Sequence, residues 1–174
     1  MFDRFKQMFA PEMAPRGPVT FDFEEEIDAS AERIYGLLDF GSELCAKREL
    51  GHSVALVGPD HYCFTMWQMA DLPFDITVGE AVPGEVYAYR AVARKKVGRL
   101  VWSEERHEIE PRGDGSCLVR LVVEAQFDEP MPLAEYGEHV TRMAMGCMTA
   151  LEKLRLHAEQ GAQAVLDYED RQFG

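Results

Sequence analysis

A chain of 174 residues with 47% hydrophobic side chains can bury a substantial core as one domain. Its formal charge of -13 repels phosphate backbones and anionic headgroups, which argues against nucleic-acid partners and electrostatic membrane attachment; no stretch approaches the ~18 apolar residues of a membrane span. Cys45, Cys63, Cys117 and Cys147 form no C-x-x-C pair and have no zinc-spaced histidine, so the expectation is reduced thiols in a cytoplasmic protein without a metal or cofactor.

Residues 1–18 read as an N-terminal extension. Phe2, Phe5 and Phe9, with Met8, make an apolar stripe at helical spacing, and Pro11, Pro15 and Pro18 stop any helix from continuing. Charges at Asp3, Arg4 and Lys6 interrupt what a signal peptide would keep apolar. The extension is expected to fold onto its own domain or onto a second copy, giving a homodimer; the alternative is a docking helix for another partner or a membrane surface.

From Val19 to Ile27 the alternation of Val19, Phe21 and Phe23 with Thr20, Asp22 and Glu24 predicts a strand. The period then changes. Ser30 can cap a helix that buries Ile34, Leu37 and Leu38, and Gly41 and Gly51 bracket a second short helical piece, SELCAKREL. Residues 52–127 read as a meander of antiparallel strands. Ser53 to Val57, Tyr62 to Met69, Phe74 to Val82, Glu85 to Arg94, Arg99 to Glu110 and Cys117 to Phe127 are separated by turn signals such as Gly58-Pro59-Asp60, Pro83-Gly84 and PRGDGS. Pro130 and Pro132 precede a run from Ala134 to about Gln160, in which Val140, Met143, Ala144, Cys147, Leu151, Leu154 and Ala158 fall on one helical stripe. Such a helix spans roughly 40 Å and needs a large apolar partner, which only the meander supplies. The acidic tail 161–174 is expected to be exposed or frayed.

The order of strand, two short helices, about six strands and one long helix resembles the START-like or SRPBCC superfamily, which includes polyketide cyclases, lipid-transfer domains and pollen-allergen-type proteins. FEEEIDASAERIYGLLDF is similar to that family's opening strand and first helix, and IEPRGDGSCLVRL to its late hairpin. The resemblance covers roughly residues 19–160. It implies an α+β helix-grip fold, in which a curved antiparallel sheet of about seven strands wraps around the C-terminal helix. It further implies an apolar ligand held between sheet and helix. No functional residue carries over by motif.

The residues themselves nominate a site. If Val101, Ser103, Glu105, His107 and Ile109 face inward, the interior gains a hydroxyl, a carboxylate and an imidazole in a row. A four-residue loop after Pro111 would instead turn Leu100, Trp102, Glu104 and Arg106 inward, whereas a five-residue loop favours His107. The first register avoids burying Glu104, Arg106 and Glu108 together. His107 is then a candidate acid or base, oriented by Glu105 or by Tyr89; the plainer alternative is a satisfied structural histidine. Tyr87, Tyr89, Trp67, Met69, Ser103, His107, Met143 and Cys147 are the candidate ligand contacts, although the methionines and aromatics suit core packing equally well. Arg112-Gly113-Asp114 reads as turn chemistry, and no phosphate loop, nucleophile elbow or H-E-x-x-H is present.

Three functions fit this pattern: a binding protein for a hydrophobic small molecule (lipid, polyketide-like or aromatic), a cyclase or dehydratase using the same cavity, and a protein-interaction module with a filled interior. Polar groups converging in a cavity favour the second, an apolar lining the first, and no cavity the third.

Overall fold

The computed structural model describes residues 11–173. The Phe2, Phe5, Met8 and Phe9 stripe lies outside these residues. Seven strands, β1 (Val19–Ile27), β2 (Ser53–Gly58), β3 (His61–Thr65), β4 (Phe74–Val82), β5 (Val86–Ala93), β6 (Leu100–Pro111) and β7 (Cys117–Phe127), form one antiparallel sheet in the order β1-β7-β6-β5-β4-β3-β2. Helices α1 (Ala31–Leu38) and α2 (Ala46–Glu49) follow the first strand, and α3 (Leu133–Gln160) and α4 (Ala162–Phe173) follow the last. Short turns pair neighbours in sequence, and only β1 reaches across the chain to its partner, β7.

Local chemistry explains these boundaries. The Ser30 hydroxyl accepts from the Arg33 N–H, so α1 starts where a side chain can satisfy an otherwise free donor. Cys117, Val119, Leu121, Val123, Ala125 and Phe127 are all buried, which makes β7 the floor of the core. Onto that floor α3 lays Cys147, Leu151, Leu154 and Ala158, joined by Phe21 and Ile27 of β1 and by Ile34 and Leu37 of α1. A second, aromatic cluster lies toward β3–β5 and contains Phe40, Phe64, Ile76, Tyr87 and Tyr89. The two half-cores meet at α1, where Tyr35 and Leu38 pack against both. Arg33 ties α1 to the end of α3, its Nε donating to the Ala158 carbonyl at 2.6 Å and its Nη2 to the His157 carbonyl at 3.1 Å.

Four expectations need correction. The segment after Gly161 is the helix α4 rather than a frayed tail, and its Val165 is fully buried. Gly161 makes this possible: at φ 91° it ends α3 in a conformation that costs a residue with a Cβ more, and the chain restarts as a helix at once. Val165→Ala is therefore expected to lower the unfolding free energy by about 2 kcal/mol, measured by urea denaturation, where a frayed tail would show no change. Second, the strand read as Tyr62 to Met69 stops at Thr65, and Trp67–Met69 form a single 3-10 turn. Third, Trp67 and Met69 consequently stand 59% and 42% exposed instead of facing the interior. Fourth, Val101 points outward, because a bulge between Leu100 and Trp102 inserts an extra residue and shifts the alternation before Ser103.

Candidate functional site

Register places the site. Pro111 pairs with Cys117 across a five-residue loop, which turns Ser103, His107 and Ile109 to the buried face of β6. On the neighbouring strand, Tyr89 lies opposite Glu105 and Tyr87 opposite His107. The Tyr89 hydroxyl donates to Glu105 Oε2 at 2.6 Å, and the Tyr89 and His107 rings stack at 6.5 Å with 19° between their planes.

These three side chains form the sheet wall of a cavity of about 120 Å³. Leu37, Leu38 and Phe40 close it from the α1 side, Ala46, Lys47 and Leu50 from α2, and Ala150, Lys153, Leu154 and His157 from α3, with His52 beside them. The lining is thus an aliphatic and aromatic shell with polar groups at both the sheet and the helix. Lys153 is held by an ion pair with Glu169 of α4, so the correctly formed C-terminal helix also sets one edge of the site.

Burial determines the protonation states. His107 is only 5% exposed, and this burial pushes its imidazole down to about 4; nearby Lys47 adds to the effect, while Glu105 and the Tyr87 backbone oppose it. It is neutral near pH 7. Burial likewise raises the Tyr89 hydroxyl, reinforced by the Glu105 carboxylate, so its proton stays on oxygen and is given to Glu105 as a hydrogen bond. Cys147 is pushed up to about 11 by burial, with Glu105 adding to it, which keeps it a thiol and not a nucleophile.

His157 is the group that sequence reasoning missed. It is 1% exposed, and its Nε2 lies 2.6 Å from Glu49 Oε2. A carboxylate only accepts, so Nε2 is the donor in this contact. Neither His157 Nδ1 nor His107 Nδ1 has a hydrogen-bond partner among the described residues, and both atoms are buried. Both residues line the cavity, and a buried imidazole nitrogen without a partner loses hydration and gains nothing in return.

Of the candidate residues, Tyr89, Glu105 and His107 come together here. Tyr87 is buried behind them, and its hydroxyl accepts from the Phe40 N–H at 3.0 Å instead of reaching the cavity. Ser103 is buried further along β6, Cys147 sits within the aliphatic core and Met143 packs against that core; none of the three lines the cavity. Trp67 and Met69 are likewise absent from its lining. Among the described residues no group of three or more His, Cys, Asp or Glu side chains is placed to hold a metal ion, and no helix is long and apolar enough to cross a membrane.

No family model and no curated protein matches the sequence. Solved structures do match the fold. Ara h 8.0201 superposes with a TM-score of 0.60 at 14% identity, covering 87% of this chain and 97% of its own. An uncharacterized protein from Bacillus thuringiensis gives 0.57 at 14% identity over 80% and 98%. A START superfamily protein from Mycobacterium smegmatis gives 0.56 at 16% identity over 80% and 97%. With the long helix gripped by a curved seven-stranded sheet, these likenesses establish the architecture that the sequence resemblance implied: the chain has the START-like helix-grip fold.

Proposed function

We propose that the protein binds a hydrophobic small molecule in the cavity enclosed by α1, α2, α3 and the β5–β6 wall. The observation that carries this reading is the cavity itself, a space of about 120 Å³ between sheet and helices, bounded on its apolar side by Leu37, Leu38, Phe40, Leu50 and Leu154. A protein-interaction module with a filled interior accounts less well for this space. Its size supports a compact ligand. Cavities of roughly 150 Å³ accept one benzene ring, so an extended lipid requires α1 and α2 to move outward.

The test is native mass spectrometry of freshly purified protein, with solvent extraction of any adduct, repeated on Ala46→Phe, whose new ring occupies the space. A stoichiometric adduct that Ala46→Phe reduces at least tenfold supports the reading. An adduct equally abundant in the variant places the ligand elsewhere.

A second reading, an acid–base enzyme of the cyclase or dehydratase kind, is favoured by one specific observation. Tyr89, hydrogen-bonded to Glu105, stands beside a neutral His107, which is an arrangement able to move a proton on a bound carbonyl compound. Chemical change of the extracted adduct over time, abolished by His107→Gln, distinguishes the enzyme from the carrier.

A further inference from the structure

The lining of the cavity divides by exposure. Leu37, Phe40, Leu154 and His107 are sealed from solvent, whereas Lys47 of α2 and Lys153 of α3 are partly exposed. The lysines therefore stand where the cavity meets water, and the apolar shell lies behind them. In a chain with 31 acidic and 18 basic side chains, two ammonium groups on one small cavity run against the background charge.

The two lysines are not equivalent. Lys153 is held by Glu169, so its charge is matched within the protein. No carboxylate among the described residues pairs with Lys47, whose Nζ lies 5.9 Å from the centre of the Phe64 ring. A ring face attracts an ammonium group but accepts none of its hydrogen bonds in the way an anion does. The neighbouring imidazoles supply no competing cation. At His52 and His107 burial is the main cause that disfavours the charged ring, and Lys47 pushes the same way. Glu105, the acid of the lining, is tied to Tyr89 on the β5–β6 wall. It repels a negative charge brought to that wall, which turns the charged end of an anion toward Lys47 and its body into the aliphatic shell.

On the binding reading above, we propose that the ligand is a compact organic monoanion, an apolar body of about one ring bearing a single carboxylate, anchored by Lys47 with Lys153 as the second cation of the rim. The carboxylate accepts from the Lys47 ammonium, and the ring rests against Leu37, Phe40 and Leu154. The volume of about 120 Å³ leaves room for one ring and little more. A carboxylate taken out of water without a cation is costly, so Lys47 decides between an acid and its neutral analogue.

Calorimetry on the intact protein with benzoate, benzamide and benzylamine tests this, because the three share a ring and differ in charge. Benzoate is expected to bind about 30-fold more tightly than benzamide, the difference a charge-assisted hydrogen bond supplies, with benzylamine weakest. In Lys47→Met the affinities of benzoate and benzamide should converge, while Lys47→Arg keeps benzoate ahead. The comparison within the parent needs no variant, so it stands even if a substitution fails to fold. Equal affinity for benzoate and benzamide in the parent, or preference for benzylamine, would overturn the anion proposal and leave the apolar-binding reading intact. A benzoate preference that persists in Lys47→Met overturns Lys47 as the anchor. Failure of all three compounds counts against this proposal. An adduct carried from the cell, reduced in Ala46→Phe and lacking an acidic group, would overturn it while upholding the binding reading.

Discussion

Acidification from pH 6.5 to pH 4 is expected to remove on the order of 3 kcal/mol of folding stability through His107 alone. The sign follows from which state takes up the proton. In the unfolded chain the imidazole protonates as the pH falls through its ordinary value of 6.5, whereas in the fold burial resists protonation until about 4. Stability is thus complete above 6.5, declines between the two values, and receives no further change from this group below 4. His52 is also lowered, mainly by burial, and contributes a slope of the same sign. Asp22, Asp75 and Asp128 are lowered from 3.8 by hydrogen-bonded cations, so their stabilising contributions are lost only at lower pH, and the two windows separate. Urea denaturation near pH 7 and near pH 4.5 should show a large loss for the parent and a smaller one for His107→Gln. Direct titration of the His107 ring protons in the native protein should give a midpoint close to 4. An ordinary midpoint, together with equal losses in both proteins, would show that the imidazole is not sealed from water.

Leu154→Ala is expected to cost about 3 kcal/mol and to enlarge the cavity at once. Leu154 is 7% exposed, belongs to the aliphatic core and also lines the cavity, so its removal forfeits burial while leaving space that the surrounding elements fill only in part. For a domain of this size the loss corresponds to a melting temperature lower by roughly 6–12 °C. The same substitution should admit a naphthalene-sized ring that the parent excludes. A large destabilisation without this gain would mean that α3 collapses onto the sheet, and neither effect would mean that Leu154 packs loosely.

Much of this architecture was legible because alternation and helical period are direct records of burial. The unbroken apolar face of Cys117 to Phe127, and the stripe from Cys147 to Ala158, define the floor and the lid before any coordinate is known. The inward face of β6 depended on one residue in a loop, and counting the alternatives for residues 112–116 reached the five-residue solution through the cost of burying Glu104, Arg106 and Glu108. Trp67 and Met69 were misplaced because alternation says nothing about where a strand stops, and a 3-10 turn can follow it without a proline or glycine inside. Val101 was misplaced because a bulge changes parity silently. His157 had a usable signal, since it continues the steps of three from Leu151 and Leu154. Glu49 had none: its importance comes from α2 folding against the end of α3, a meeting between residues distant in sequence. The tail's acidity masked Val165, the buried anchor of α4.

The pairing of β1 with β7 has a consequence for synthesis on the ribosome. Val19 emerges well before its ladder partner Ala125, which arrives only after the five intervening strands, and α3, which covers the same floor, comes later still. The hairpins from β2 to β6 can form as they appear, but their apolar face waits uncovered until α3 and α4 leave the exit tunnel. Closure of the fold therefore waits for α3, and a nascent chain that has emerged only as far as Leu133 has its sheet but not the lid that makes the sheet a container.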